Sequence, residues 1–164
     1  MVDCSRGIQY LHRNGILHRD IKPDNFLVIS LDPNDRVNAK LTDFGSSRNV
    51  NMMMTNMTFT KGIGTPKYMA PELLGKEKYK MPADIYAFAI TMYQILCWEE
   101  VFPKSRFKFP WHIADFIIKG NRPEQRSSMT DDEYGLICEC WCQNPKERKT
   151  IDEVVSRLEE LFSK

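Results

Sequence analysis

The residues His18-Arg19-Asp20-Ile21-Lys22-Pro23-Asp24-Asn25 fill the pattern H-R-D-x-x-x-x-N at every specified position. Asp43-Phe44-Gly45 follows eighteen positions after Asn25, and Gly64-Thr65-Pro66-Lys67-Tyr68-Met69-Ala70-Pro71-Glu72 ends in A-P-E. Any one of these charged residues, taken alone, reads as a solvated loop charge. A D-F-G tripeptide alone is weak, because it occurs by chance. The eight-residue block, then D-F-G beyond a predicted hairpin, then A-P-E, in that order, is a specific signal.

Outward from that block, residues 26–30 and 38–42 read as two short strands joined by turn chemistry at Asp32-Pro33-Asn34-Asp35. Upstream, residues 2–13 read as a helix, with Ile8, Leu11 and His12 spaced three and four from Cys4 and Gly7 and a stop at Asn14-Gly15. Downstream, residues 46–64 show no clear period and carry four methionines among asparagines and threonines, which predicts a long loop. Helices dominate the rest. Residues 82–97 are apolar nearly all round, with Pro82 in the first turn, and predict a central buried helix. Another helix is expected near 110–119. Thr130-Asp131-Asp132-Glu133 and Thr150-Ile151-Asp152-Glu153 are capping boxes, opening a helix through about Cys142 and a last one striped by Val154, Val155, Leu158, Leu161 and Phe162.

The bulk numbers agree with one folded unit. The 164 residues are one domain's worth. Apolar residues at 42 % and charged residues at 27 % exclude a disordered chain, which lacks the apolar surface to offset ordering entropy. A net charge of +1 gives no sign of a nucleic-acid or membrane-surface footprint. The most apolar stretch, Ala87 to Trp98, is interrupted by Thr91, Tyr93 and Gln94 and falls short of the roughly 20 residues a membrane span needs. No basic segment followed by an apolar core opens the chain, so the five cysteines are expected as reduced thiols in the cytoplasm. Cys138, Cys140 and Cys142 lack metal-ligand spacing and read as thiols on a helix. Gly62-Ile63-Gly64 is a lone G-x-G that neither follows a strand nor opens an apolar helix, so it does not read as a nucleotide loop.

The three ordered blocks resemble the C-terminal lobe of eukaryotic protein kinases, and the resemblance covers essentially the whole chain. It implies a mainly α fold: a helical bundle around a central buried helix, with a short β-hairpin carrying the catalytic loop (18–25) and D-F-G. It also implies that residues 43–72 form the activation segment. Phosphoryl transfer asks for positioning and charge neutralisation more than covalent chemistry. By resemblance, Asp20 is the catalytic carboxylate, Lys22 a positive charge near the transferred phosphoryl, and Asn25 and Asp43 the Mg²⁺ ligands. Lys22, Asn25, Leu27 and Asp43 would meet ATP. Lys22 within H-R-D-x-K, together with Thr65, implies serine/threonine acceptors. Cys140-Trp141, Pro145 and Arg148 resemble the tyrosine-kinase-like branch, with dual specificity open.

The same resemblance makes His18 and Phe44 stacking partners in an apolar spine, Asp84 an acceptor for catalytic-loop amides, and Arg148 the ion-pair partner of Glu72. Arg19 before the catalytic Asp implies activation by loop phosphorylation, with Thr60 first and Thr58 and Thr55 behind it. The glycine loop, the V-A-I-K lysine and its glutamate partner are absent from these residues. The expectation is therefore a lobe without its N-terminal ATP lobe, with exposed apolar surface and negligible activity in isolation. The alternative is a non-catalytic kinase-like scaffold. Partners implied are ATP and a protein with a Ser/Thr acceptor, with no nucleic acid and no membrane span in this chain, although a parent protein could carry a membrane or other domain upstream.

Overall fold

The computed structural model describes residues 1–32, 34–50, 66–75 and 77–162. The first helix, α1 (Val2–Arg13), buries Cys4, Ile8, Leu11 and His12 along one side. It ends at Asn14, and Gly15 takes φ +66°, a left-handed conformation that glycine adopts without a Cβ clash. Gly7 has a different reason to be glycine. A Cβ there would stand 3.2 Å from the Leu41 Cβ, so its bare backbone lets α1 approach the hairpin.

Strand β1 (Ile16–Leu17) follows at once, then a 3₁₀ turn at Pro23–Asn25 and the hairpin β2 (Phe26–Val28) and β3 (Ala39–Leu41). The hairpin pairs antiparallel with Phe26 opposite Leu41 and Val28 opposite Ala39. Both strands are shorter than 26–30 and 38–42, although Ile29 N still donates to Asn38 O at 2.7 Å. A 3₁₀ turn at Phe44–Ser46 leads into β4 (Arg48–Asn49), which pairs antiparallel with β1, Ile16 facing Asn49 and Leu17 facing Arg48. This is a correction to the reading of 46–64 as loop from its first residue. A two-residue strand has no period of its own, and its pairing lies thirty residues away. The β1–β4 bridge ties both ends of the 18–47 segment together.

The rest is helical: a 3₁₀ turn at Pro66–Tyr68, α2 (Pro71–Leu74), α3 (Met81–Cys97), α4 (Pro110–Ile118), α5 (Asp131–Cys140), a 3₁₀ turn at Pro145–Glu147, and α6 (Ile151–Phe162). Helix α3 is the axis. Every residue from Ala83 to Tyr93 is buried, which is why its apolar side chains run all round instead of along one stripe. α1 packs on α6, and α3 on α5.

Both capping boxes form. Glu133 N donates to Thr130 Oγ1 at 3.2 Å while Glu133 accepts from Thr130 N at 2.8 Å, and the Thr150–Glu153 pair repeats the exchange at 3.4 and 2.7 Å. Helix α5 stops two residues before Cys142. Arg122 Nε donates to Trp141 O and Arg148 Nε to Cys142 O, each at 2.9 Å, so side-chain donors serve the carbonyls where the helix ends. Among the described residues no helix is long and apolar enough to cross a membrane. The described residues are therefore mainly helical, with two small two-stranded sheets among them.

Candidate functional site

The 18–25 loop is held from below by one carboxylate. Asp84, in the first turn of α3, is fully buried. Its Oδ1 accepts from Arg19 N (3.0 Å) and Tyr79 Oη (2.7 Å), and its Oδ2 from His18 N (3.0 Å) and His12 Nε2 (2.9 Å). Burial alone would raise the Asp84 carboxyl. The hydrogen bonds and charge from His12, the Arg19 amide and Tyr79 outweigh it, and the pKa lies below the ordinary value. Tyr79 moves the opposite way: burial, then the neighbouring Asp84 charge, push its phenol well above the usual range. Neither Tyr79 nor His12 carried a motif. The available signal for His12 was a polar residue on the buried stripe of α1.

Two backbone amides converging on Asp84 force an unusual turn. Arg19 takes φ +74° and Asp43 φ +58°, and these are two of the three non-glycine positive-φ residues among those described. Such conformations persist where the surroundings over-determine them. The Arg19 side chain folds inward, its guanidinium 5.7 Å from the centre of the Tyr79 ring. Its Nε and Nη1 are buried and find no partner among the described residues. Burial first, then the Arg48 charge, hold its pKa below the usual arginine value, although Tyr79 and Asp84 pull the other way.

Above this base the polar side chains gather. Lys22 Nζ donates to Asp20 Oδ2 at 2.7 Å. Asn25 Nδ2 donates to Asp20 O at 2.6 Å and to Asp20 Oδ2 at 3.2 Å. The Asp20 side chain is only 14 % exposed, yet its Oδ1 accepts no hydrogen bond among the described residues. Thr42 joins this loop to the next: its N and Oγ1 both donate to Asn25 O, at 2.9 and 3.0 Å, and Asp43 is the residue that follows. Among the described residues Asp43 Oδ1 accepts only from Gly45 N, at 3.3 Å, and its side chain is exposed.

His18 is fully buried and acts as a spacer. Its Nε2 donates to Thr42 O at 2.9 Å and its Nδ1 accepts from Asp20 N at 3.3 Å, which assigns the ring proton to Nε2. Its ring meets Phe44 edge-on at 5.5 Å. Phe44 is nevertheless 52 % exposed, and Leu27 on β2 is 54 % exposed, so one side of the hairpin presents apolar surface.

Glu72, in α2, receives a two-pronged bond from Arg148, Nη1 to Oε1 at 2.8 Å and Nη2 to Oε2 at 2.7 Å, with both side chains nearly excluded from water. The structure thus brings Asp20, Lys22, Asn25 and His18 together, with Asp84 beneath the loop and Asp43 following Thr42, which is bonded to both His18 and Asn25. Glu72 and Arg148 form a separate pair, and Leu27 stands apart on the hairpin. Thr55, Thr58, Thr60 and Thr65 lie outside the described residues.

The sequence matches the family described as Protein kinase domain over residues 1–158. The chain belongs to the protein kinase family. It is 39 % identical, over 99 % of its length, to Probable serine/threonine-protein kinase gdt9 of Dictyostelium discoideum, and covers 10 % of that protein. Probable serine/threonine-protein kinase gdt4 of the same organism is 37 % identical over 99 % of this chain, again with 10 % of the relative covered. RGS domain-containing serine/threonine-protein kinase A, also from Dictyostelium discoideum, is 31 % identical over 96 % of this chain, which covers 13 % of it. The chain therefore spans about a tenth of the length of these three curated relatives, each named as a serine/threonine-protein kinase and two of them as a probable one.

Proposed function

We propose that this chain is the C-terminal lobe of a serine/threonine kinase of the tyrosine-kinase-like branch, transferring the terminal phosphoryl group of ATP to a Ser or Thr hydroxyl of a protein. The observation that carries the reading is the state of Asp20. One carboxylate oxygen is gripped by Lys22 and Asn25, while Oδ1 accepts nothing among the described residues. A carboxylate fixed on one side and open on the other can orient an acceptor hydroxyl and take its proton onto Oδ1. Lys22 supplies a compact positive charge at the same place.

The donor set fits a hard cation. Asn25 uses its Nδ2 on Asp20, leaving its Oδ1 with no hydrogen bond among the described residues, and Asp43 has one oxygen equally free. Among the described residues no three His, Cys, Asp or Glu side chains gather as metal ligands. Mg²⁺ suits such a sparse site, since it binds through one or two protein oxygens plus phosphate oxygens and water. When bound, Mg²⁺ neutralises charge on the transferred phosphoryl of ATP.

Helix α3 and Asp84 hold the loop rigid. The exposed side chains of Leu27, Val28, Ile29 and Leu31 are the surface that an ATP lobe with its glycine loop would cover. The Arg19 guanidinium, whose Nε and Nη1 are buried with no hydrogen bond among the described residues, is the group that a phosphorylated threonine of the activation segment, Thr60 first and Thr58 next, would pair with. Cytoplasmic location belongs to the same reading.

The test is Mg-ATP phosphotransfer by the protein carrying both lobes. Asp20→Asn is expected to lower the rate by about 10²–10⁴-fold with ATP affinity retained, and phosphoamino-acid analysis of the product to show phosphoserine or phosphothreonine. Unchanged turnover in Asp20→Asn would overturn the assignment.

A further inference from the structure

A cavity of about 290 Å³ lies between the end of α1, the first two turns of α3 and the start of α6. Phosphoryl transfer does not use it. Met81, Pro82, Ile85 and Ile151 give it apolar walls, and His12 is another wall. The charged groups around it are already matched. Arg13 meets Asp152 at 2.7 Å, Arg148 meets Glu72 at 2.7 Å and Lys149 meets Glu139 at 3.5 Å. His12 is different. Its side chain is only 5 % exposed, and its Nε2 meets Asp84 Oδ2 at 2.9 Å. The Asp84 carboxyl has a pKa below the ordinary value, so it is ionised and accepts, and the ring proton sits on Nε2. In the neutral ring Nδ1 is then an acceptor, and nothing among the described residues donates to it. Asp152 Oδ2 is equally unused, but the Asp152 side chain is 56 % exposed and water can serve it.

We propose that this cavity binds a small neutral aromatic molecule of one or two rings carrying a single N–H or O–H donor, and that its occupancy steadies the 18–25 loop through His12 and Asp84. Size sets the ring count: ligand cavities run from about 300 to 1,000 Å³, and this one stands at the low end. The apolar walls ask for an apolar body, whose transfer out of water drives binding. The matched ion pairs argue against an ionic ligand, which would bring an uncompensated charge and lose its water. The donor is asked for by Nδ1, an acceptor on a nearly buried ring that gains a hydrogen bond only from an occupant. The route to the loop is short. His12 shares Asp84 Oδ2 with His18 N, and the other carboxylate oxygen holds Arg19 N. A ligand that pins His12 opposes the local opening that frees those two amides.

The probe is indole, titrated into the protein by isothermal calorimetry, with N-methylindole as the same body without the donor. Saturable binding of indole is expected, with N-methylindole weaker by about tenfold or more. Met81→Trp puts a larger ring into the cavity from a partly buried position and should weaken indole by about tenfold or more. Circular dichroism checks the fold of that variant, and the comparison of the two indoles needs no variant. Asp152→Ala removes the other unused acceptor and should keep the preference for indole. Hydrogen exchange at the amides of His18 and Arg19 should slow by about twofold or more at saturating indole. No binding, equal binding of the two indoles, or binding unaffected by a folded Met81→Trp overturns the proposal. So does a preference that disappears in Asp152→Ala, tighter binding of an indole carboxylate, or unchanged exchange at His18 and Arg19 under saturation. The binding and exchange readouts need no ATP, so they stand or fall apart from phosphoryl transfer.

Discussion

At Asp84 a single buried carboxylate satisfies four donors from α1, the 18–25 loop and Tyr79. An asparagine there keeps one acceptor oxygen for two of the donors and turns an amide N–H group toward the other two, in a place water does not reach. Asp84→Asn is therefore expected to lower unfolding stability by about 3–5 kcal/mol, measured by urea denaturation at neutral pH. The pH dependence follows from the same geometry. The folded-state pKa of Asp84 is depressed, so its contribution is fully present above the unfolded carboxyl value of about 4 and is lost as pH falls through the folded value. The parent protein should lose stability on acidification below that point, while Asp84→Asn should show a flatter acid limb. Asp84 and the Glu72–Arg148 pair were legible through the motifs around them. Tyr79 and His12 were not, because a tyrosine in a polar connection and a histidine on an apolar stripe gain meaning only when the chain brings them to Asp84.

Helices with long apolar periods and capped starts could be read locally, because 3.6-residue spacing and a capping box each act within one or two turns. The α5 and α6 starts fall where the sequence placed them. Thr130→Ala is expected to cost about 1 kcal/mol by removing the acceptor for Glu133 N, and thermal or denaturant melts measure it. Glu133→Gln should cost less, since its amide oxygen can still accept from Thr130 N. The short elements behave differently. β1, β4 and α2 are two to four residues long, with no room for a period, and their existence depends on what lies opposite them. The α5 end was overestimated by two residues because Arg122 and Arg148, distant in sequence, take up the carbonyls there.

Across the whole molecule, α3 couples core and site. Phe88 is fully buried in α3 and meets Phe26 of β2 edge-on at 6.1 Å, so one side chain touches both the bundle axis and the hairpin. Phe88→Ala is expected to lower stability by about 3–5 kcal/mol, through lost apolar transfer and the cavity left behind. Chemical denaturation measures that loss, and hydrogen exchange should report faster opening at the hairpin amides of residues 26–28 and 39–41. Packing contrasts in the same terms: α1 and α6 pack together and are also tied by Arg6–Glu159 and Arg13–Asp152, while the β2–β3 hairpin leaves Leu27, Val28 and Ile29 exposed.

By itself the sequence determined the helical class, the two capped starts, the central helix and the order of motifs that marks the kinase family, since each depends on residues within a few turns of one another. The tertiary structure decided that β1 closes on β4, that four donors from separated segments meet one buried carboxylate, and that Asp20 is gripped on one oxygen and open on the other. Those features need groups up to 72 positions apart to be held within hydrogen-bond reach. The free energy that holds them there comes from burying α3 at the centre, and no local pattern encodes which distant partner that burial brings close.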